Sequence, residues 1–408
     1  MDKCPGTQWE EVQLGDLLTR ITYGFTNPMP TTDSGPVMVT AKDIRGGRID
    51  YNTARHTSID AFRKNLTDKS RPQLGDILLT KDGSIGRVAV CDRDDICINQ
   101  SVALLQLKAG VNPKFLAYLL QAPEYQAAMA ADADGSTIKH IYITRVDKMS
   151  IRVPDLVAQV AIAEVLGALD DKIAANERAT TTAQHYLRTV ASRLISSSNS
   201  AIALNQCAEI VKGVSYRSAD LQESKTALVT LKSVSREGNF EFAGFKEFVG
   251  KFTPAQQVVA GDIIVAQTDL TQGGDVIGRA VRVPPVDSYD RLVASLDLAI
   301  VRPRDCMTSE YLLACLQQRN FHVHCASFAS GTTVLHLSRG AFESYEVPFA
   351  DSESQARYAA LARDVHQLID AIGQESRRLT STRDQLLPLL MSGKVTVKDI
   401  EPDIEDIV

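Results

Sequence analysis

The chain has no apolar run approaching the ~20 residues a membrane span requires, and residues 1–30 lack a secretory signal's basic start and apolar centre. Its seven cysteines (4, 91, 97, 207, 306, 315 and 325) are odd in number and never fall as C-x-x-C. That spacing removes a disulfide framework and a thioredoxin-like motif, and a reduced, cytoplasmic setting with no membrane contact is expected. The Walker spacing G-x-x-x-x-G-K-[ST] is missing. Asn27-Pro28-Met29-Pro30 lacks the second adjacent proline and the aromatic residue of an adenine-amino methyltransferase loop, and no glycine-rich cofactor loop follows a clear strand. Pro154-Asp155 with Asp170-Asp171-Lys172 spells a PD…DxK nuclease string. Residues strung along one heptad helix, as these are, do not converge on a metal. His322, His324 and Cys325 have no second ligand pair at zinc spacing and read as core or surface residues. The expectation is no catalysis, no cofactor and no metal.

What the chain does have is a repeat. Leu74-Gly75-Asp76-Ile77-Leu78 recurs as Ala260-Gly261-Asp262-Ile263-Ile264, and Gly86-Arg87-Val88-Ala89-Val90 as Gly278-Arg279-Ala280-Val281. Gly135-Ser136-Thr137-Ile138 returns as Gly331-Thr332-Thr333-Val334, and Val153-Pro154 as Val347-Pro348. A period of roughly 190–200 residues implies two domain-sized modules with pseudo-twofold symmetry, not a solenoid. Short β-rich runs (Ile77–Thr80, residues 87–91 and 101–107) alternate with Gly, Asp and Asn turns, and residues 113–120 and 309–316 read as short helices. The modules are therefore expected to be α+β.

Beyond each module the pattern changes to a heptad. Ile162, Leu166, Leu169, Ile173 and Asn176 open one seam; Leu361, Val365, Leu368, Ile372 and Glu375 lie on the other. Steps alternating between four and three make a narrow apolar stripe, a coiled-coil signal, and a polar residue in mid-seam fixes register. Packing of each helix on its own module alone is the other reading. Asp155 is the expected cap of the first helix, and Ser352 with Gln355 the expected capping box of the second. Pro388 should break or kink the second helix and Gly393 should stop it. Counted from Gln159 to Leu169 and from Gln355 to Leu368, the two helix starts differ by three residues. The expected boundaries are a first module at 1–154, a helix at 155–199, a second module at 200–349, a helix at 350–394 and an acidic tail at 395–408.

Net charge is −6, but its distribution is uneven. Residues 1–154 hold 19 basic and 18 acidic side chains, and within residues 42–93 the balance is 11 to 7. Residues 204–348 hold 14 and 16. A local positive bias is what phosphate contact needs, whatever the total. Thr80-Lys81-Asp82-Gly83-Ser84-Ile85-Gly86-Arg87 combines glycines with Lys81, Ser84 and Arg87 as donors. Gln267-Thr268-Asp269-Leu270-Thr271-Gln272-Gly273-Gly274 sets a different polar group on a similar frame. Two readers of different sequences would differ in this way; so would two loops drifting after duplication. Gly135-Ser136-Thr137-Ile138-Lys139-His140 and its counterpart with Thr332 and Thr333 suit phosphate contact or a plain turn. The candidate DNA-contacting residues are Lys42, Arg45, Arg48, Lys81, Ser84, Arg87, Ser136, Thr137 and Lys139 in the first module. In the second they are Lys232, Gln267, Thr268, Arg279, Thr332 and Thr333.

With these parts in order, the sequence resembles the specificity subunit of type I restriction-modification enzymes. The run from Gly75 to Gly86, the stretch Gly135 to His140, Val153-Pro154 leading to Gln159-x-x-Ile162-Ala163, and the ending Leu386-Leu387-Pro388-Leu389-Leu390-Met391-Ser392-Gly393-Lys394-Val395 carry the likeness. The resemblance implies two target recognition domains, each binding half of a split site in double-stranded DNA, separated by two helices that pair as an antiparallel coiled coil. It also implies a non-catalytic subunit that recruits two methyltransferase subunits and then restriction-translocase subunits. The alternative from another class is a coiled-coil scaffold whose modules bind protein without DNA specificity.

Overall fold

The computed structural model describes residues 9–135, 139–271, 273–332 and 334–400. It divides into two compact units, Met1–Ala175 with Ser376–Val408, and Asn176–Glu375.

In the first unit a four-stranded antiparallel sheet runs in the order Leu18–Tyr23, Val102–Leu107, Ile77–Thr80, Val88–Val90. Ile77, Leu79, Ala103 and Leu105 turn one face into a core with the helix Pro113–Gln121, while Leu78, Ala89, Val102 and Leu104 turn the other towards a second sheet. Such strands are apolar on both faces, which explains their unbroken hydrophobic runs. The second sheet sets Thr32–Val39 parallel to Ile96–Ile98, Val37 opposite Ile96, with Arg55–His56 on the other edge. A short ladder joins Glu10–Gln13 to Ser150–Val153.

The second unit repeats the main sheet and the parallel pair, and adds strands at the edges of the second sheet and in its loops. Its main sheet is Ala208–Lys212, Leu298–Pro303, Ile263–Ala266, Ala280–Arg282, and its parallel pair is Thr226–Val229 with Arg291–Ala294. The crossing of the two sheets is tight in both copies. A Cβ on Gly24 would lie 1.8 Å from the Ile98 carbonyl oxygen, and one on Gly213 would lie 2.0 Å from that of Ser295. Only glycine fits either place.

The long helices span Leu156–Ser196 and Ser352–Met391. Each starts in the same way. Asp155 accepts from the Ala158 amide at 2.9 Å, and Asp351 from the Ser354 amide at 2.8 Å. The capping box expected from Ser352 and Gln355 does not form, because the Gln355 amide is drawn inward. Its Oε1 accepts from the Thr308 amide at 3.1 Å and its Nε2 donates to the Ala350 carbonyl at 2.9 Å. Gln159 makes the same pair of bonds, to the Asn112 amide at 3.0 Å and the Pro154 carbonyl at 2.9 Å. Each counterpart is numbered 196 higher, so the three-residue offset inferred from sequence vanishes: Val365, not Leu368, answers to Leu169.

Within the first unit, Ile162, Ala163 and Leu166 share a core with Leu390 and Met391, and Arg383 Nη1 donates to Asp170 Oδ1 at 2.7 Å. Within the second, Leu187 and Ala191 share a core with Tyr358 and Ala362, and Asn176 Nδ2 donates to Glu375 Oε2 at 2.7 Å. In each unit numbers rise along one helix as they fall along the other, so the helix segments pair antiparallel. Ile162, Leu166, Leu169 and Asn176 are buried; Ile173, Leu361, Val365, Ile372 and Glu375 are partly so. Leu368 departs from the expected stripe, at 53% exposed. The second helix turns Gln355, Tyr358, Ala359 and Ala362 inward instead, and a 3.6-residue period carried on from Gln355 leaves Leu368 outside.

Pro388 does not break its helix. It falls in the last turn, where a missing N–H removes one bond only. Gly393 ends the helix at φ 69°, and the Lys394 amide donates back to the Leu389 carbonyl at 3.1 Å in a Schellman-type close. A Cβ there would also meet the Trp9 indole nitrogen at 2.6 Å. Past it, Val395, Val397 and Ile400 pack on the first core, so the start of the expected acidic tail is part of the fold, while Glu401–Val408 lies outside the described residues.

Candidate nucleic-acid interface

The two loops singled out in the first module form one surface. Thr80 closes the first loop: its Oγ1 donates to the Ser84 carbonyl at 2.5 Å and accepts from the Arg87 amide at 2.9 Å. The second loop is the tip of a hairpin bridged between Asp134 and His140. The Gly83 amide donates to the Lys139 carbonyl, and the Ile141 amide to that of Lys81, both at 2.9 Å, while His140 Nδ1 meets Asp82. Ser84, Arg87 and Lys139 are exposed on this joined surface; Ser136 and Thr137, with Ile138, lie outside the described residues.

Lys81 differs from the expectation. It is 7% exposed, its ammonium held 3.0 Å from Asp82 Oδ2 and over the ring of Tyr23. A buried ammonium must be paired, and this one is engaged inside the fold. Arg87 faces outward instead, and its Nη1 donates to the Ile44 carbonyl at 3.2 Å. That bond lays it against the turn carrying Lys42 and Arg45, both exposed, the latter donating Nε to the Lys42 carbonyl at 2.9 Å. Lys42, Arg45 and Arg87 thus make one basic group. Arg48 leaves it: its Nη2 donates to the Asp170 carbonyl at 2.6 Å on the first long helix, whose Asp170 carboxylate also accepts from Tyr118 Oη at 2.6 Å. That arginine anchors the module to its helix.

In the second module the corresponding loops are joined by true strands, Thr268–Asp269 to Leu335–Leu337 to Ala329–Ser330. Thr268 is buried and its Oγ1 donates to Asp297 at 3.0 Å; Gln267 is half-buried, with its Nε2 buried and lacking a partner among the described residues. Burial would raise the Asp269 carboxyl, but it accepts from the Val276 and Thr271 amides, each at 2.7 Å, and these hold it below its usual range. Its role is to shape the loop. Lys232 and Thr332 are exposed, and Arg279 is half-buried with Nε donating to the Asp275 carbonyl at 3.1 Å; Thr333 lies outside the described residues, as does Gln272. Lys232 occupies the place of Lys42, in the short helical turn Leu231–Ser233 that matches Ala41–Asp43.

Other chemistry-bearing groups serve the fold. His322 Nδ1 donates to the Ile277 carbonyl at 2.9 Å, and the His324 ring, 2.9 Å from the Ala341 carbonyl through Nε2, stacks near Phe328 and Tyr345. Asp170 and Asp171 lie along one helix. Among the described residues no group of three or more His, Cys, Asp or Glu is placed to hold a metal, and no helix is long and apolar enough to cross a membrane. Sequence reasoning missed Tyr23, Asp82 and Tyr142, which pack round Lys81 and His140. The recurrence of Asp82 as Asp269 was the available signal.

The architecture is a duplicated α+β module with exposed basic groups, each copy followed by a long helix, and it is the architecture with which the comparisons agree. Residues 7–183 match the family model described as the type I restriction modification DNA specificity domain. The chain is 19% identical to the MjaVIII type I restriction enzyme specificity subunit of Methanocaldococcus jannaschii over 417 residues, covering 96% of this chain and 94% of that one. It is 29% identical to the EcoBI specificity subunit of Escherichia coli over 126 residues, 29% of this chain and 26% of that one. The solved S subunit of a type I restriction-modification system from M. genitalium matches in fold with a TM-score of 0.62, at 18% identity, over 96% of this chain and 98% of that chain. Residues 7–183 thus carry a type I restriction modification DNA specificity domain, and over nearly its whole length the chain is similar to type I specificity subunits.

Proposed function

We propose that this subunit reads a two-part site in double-stranded DNA, one half with each module, and that its paired helices set the gap between the halves. It carries no catalytic step of its own, and it recruits two methyltransferase subunits and, through them, restriction-translocase subunits in the cytoplasm. The observation that carries this reading is the repeated joint at Gln159 and Gln355, which fixes each module on its helix by the same pair of bonds. Identical mountings under loops of different chemistry suit two readers of different half-sites. Contacts by Lys42, Arg45, Arg87 and Lys139 from one module, and by Lys232, Arg279 and Thr332 from the other, are the ones proposed.

The test lengthens the helix pair. A whole heptad inserted after Ile173 and another after Arg378 would leave both Asp170–Arg383 and Asn176–Glu375 paired. Each adds ~10 Å at 1.5 Å per residue, or about three base pairs at 3.4 Å each. Mapping methylated sites in a host that supplies the methyltransferase subunits should show the same two half-sequences across a wider gap. A folded, assembled variant that still methylates across the original gap would sink the spacer reading, and methyl transfer by the isolated chain would sink the non-catalytic one.

A further inference from the structure

The second unit contains a cleft between its module and the end of the helix Leu156–Ser196. Arg188 of that helix lines it together with Glu237, Gly238, Arg279, Gln317 and His322. The lining residues thus include two arginines and a histidine against one acidic residue. Neither arginine is saturated. Arg188 Nη2 donates to the Glu237 carbonyl at 3.4 Å, and Arg279 Nε to that of Asp275 at 3.1 Å. Among the described residues no further hydrogen bond or ion pair engages either one. The nearby carboxylate of Asp275 is answered by Arg236 at 3.6 Å. His322 gives its Nδ1 hydrogen to the Ile277 carbonyl, which leaves Nε2 as the ring nitrogen without a bonded partner among the described residues.

Among the described residues the first unit has no equivalent. By the numbering relation that matches Gln159 to Gln355, the counterpart of His322 is Gln126, whose Nε2 donates to the Gly86 carbonyl at 2.8 Å. The counterpart of Arg188 is Asp384, bonded to Arg383 at 2.7 Å. Basic character is thus concentrated differently in the two halves. The first gathers Lys42, Arg45 and Arg87 from within its module; the second draws Arg188 from the helix. Counting charges over residues 204–348 alone gives 14 basic and 16 acidic side chains and leaves Arg188 out.

We propose that Arg188 and Arg279, beside His322, form a phosphate-binding cleft, and that its occupant is a backbone phosphate of the duplex read by the second module. Planar guanidinium groups grip a phosphoryl oxyanion in a bidentate fashion, and a pair sharing one phosphate fixes its position. This rests on the DNA-reading function proposed above. Two sources could supply the same oxyanion, the duplex backbone or free phosphate, and the experiment separates them.

Binding of the full chain to a fluorescent random-sequence duplex is measured across a salt series for wild type, R188A, R279A, the double variant, and R339A as an exposed control. One lost phosphate contact flattens the slope of log K against log salt by ~0.9. R188A and R279A should each lose about that much, and the double variant no more, because both hold one phosphate. R339A should leave the slope in place. In parallel, thermal unfolding is followed in inorganic phosphate and in chloride at equal ionic strength. An unchanged slope in R188A, with R87A still flattening it, overturns the cleft and leaves the DNA reading standing. Equal losses in R188A and R339A reduce the effect to net charge and overturn it too. Stabilisation by phosphate that R188A abolishes, with an unchanged DNA slope, overturns the duplex as the source. A wild-type chain that binds no duplex overturns both proposals together. R188Q, which keeps the helix face polar, repeats the measurement should R188A fold poorly.

Discussion

Replacing Gln159 with leucine tests whether the joint between module and helix holds the first unit together. Gln159 is 5% exposed and bridges two backbone groups, the Asn112 amide and the Pro154 carbonyl. Leucine fills a similar space but leaves both groups without a partner. Each buried, unpaired group costs ~1–3 kcal/mol. Asn112 is only half-buried, so water recovers part of its bond, and the sum comes to about 3 kcal/mol. A unit of this size has a urea m-value of about 3 kcal/mol/M, which makes the expected midpoint shift about 1 M. Gln355, 2% exposed, supports the second unit through the same two kinds of bond, so Q355L should cost as much there.

The assay follows from composition. The chain has one tryptophan, Trp9, which sits 6.2 Å from the Phe115 ring in the first core. Its fluorescence reports the first unit, whereas far-ultraviolet circular dichroism reports both, and a chain of two units need not unfold in one step. Q159L should move the fluorescence midpoint down by about 1 M, and Q355L should move only the dichroism. A fluorescence shift in Q159L below ~0.3 M, or an equal shift in Q355L, would refute the account of the joint.

Two further outcomes follow from groups with defined environments. His366 on the second helix is pushed down to about 4 by burial, with Arg282 adding to the effect. The unfolded imidazole titrates near 6.5, so between about 6.5 and 4 only the unfolded chain takes the proton. Stability from this group is present above pH ~6.5 and is lost as pH falls to ~4, by at most about 3 kcal/mol. Urea titrations at stepped pH should show H366Q losing less stability than wild type across that window; parallel curves would refute the assignment. Lys81 and Arg45 should separate structure from contact: K81M should lower stability by ~1–3 kcal/mol with little change in the salt slope, and R45A the reverse. A flattened slope in a well-folded K81M would return Lys81 to the DNA surface.

Much of the frame was legible because it is written in apolar pattern and in turn residues. Ile77–Thr80 and Ser309–Leu316 fall where the sequence placed them, and Val88–Val90, Val102–Leu107 and Pro113–Gln121 fall within a residue or two. Those segments are fixed by which side chains must leave water. The parallel pairings Val37 with Ile96 and Thr226 with Arg291 were not legible, since they join segments some 60 residues apart with no local signal. Side-chain allegiance was harder still. Lys81 reads as a donor in a glycine-flanked loop, yet Asp82 and Tyr23 claim it. Arg188 was not singled out from the sequence, yet it borders a cleft of the second module. Ser352 and Gln355 match a capping box by spacing, but Asp351 takes the cap because an amide can pair twice by turning inward.

The comparison between halves shows why such errors cluster where they do. Groups that satisfy buried backbone are the same in both copies: Asp155 and Asp351 as caps, Asn112 and Thr308 opening the short helix, Gln159 and Gln355 beneath it. Losing one costs kilocalories, so the frame tolerates little change there. Groups at the surface differ freely. Arg87 bonds the Ile44 carbonyl while Arg279 bonds that of Asp275; Gln126 gives way to His322, and Asp384 to Arg188. An exposed side chain contributes little to folding, so its replacement leaves the mounting intact. A duplicated module can therefore acquire a second binding preference by changing only what faces outward. On the proposed reading of two half-sites, the polar positions that differ between the halves are the ones where the preference of each is to be sought.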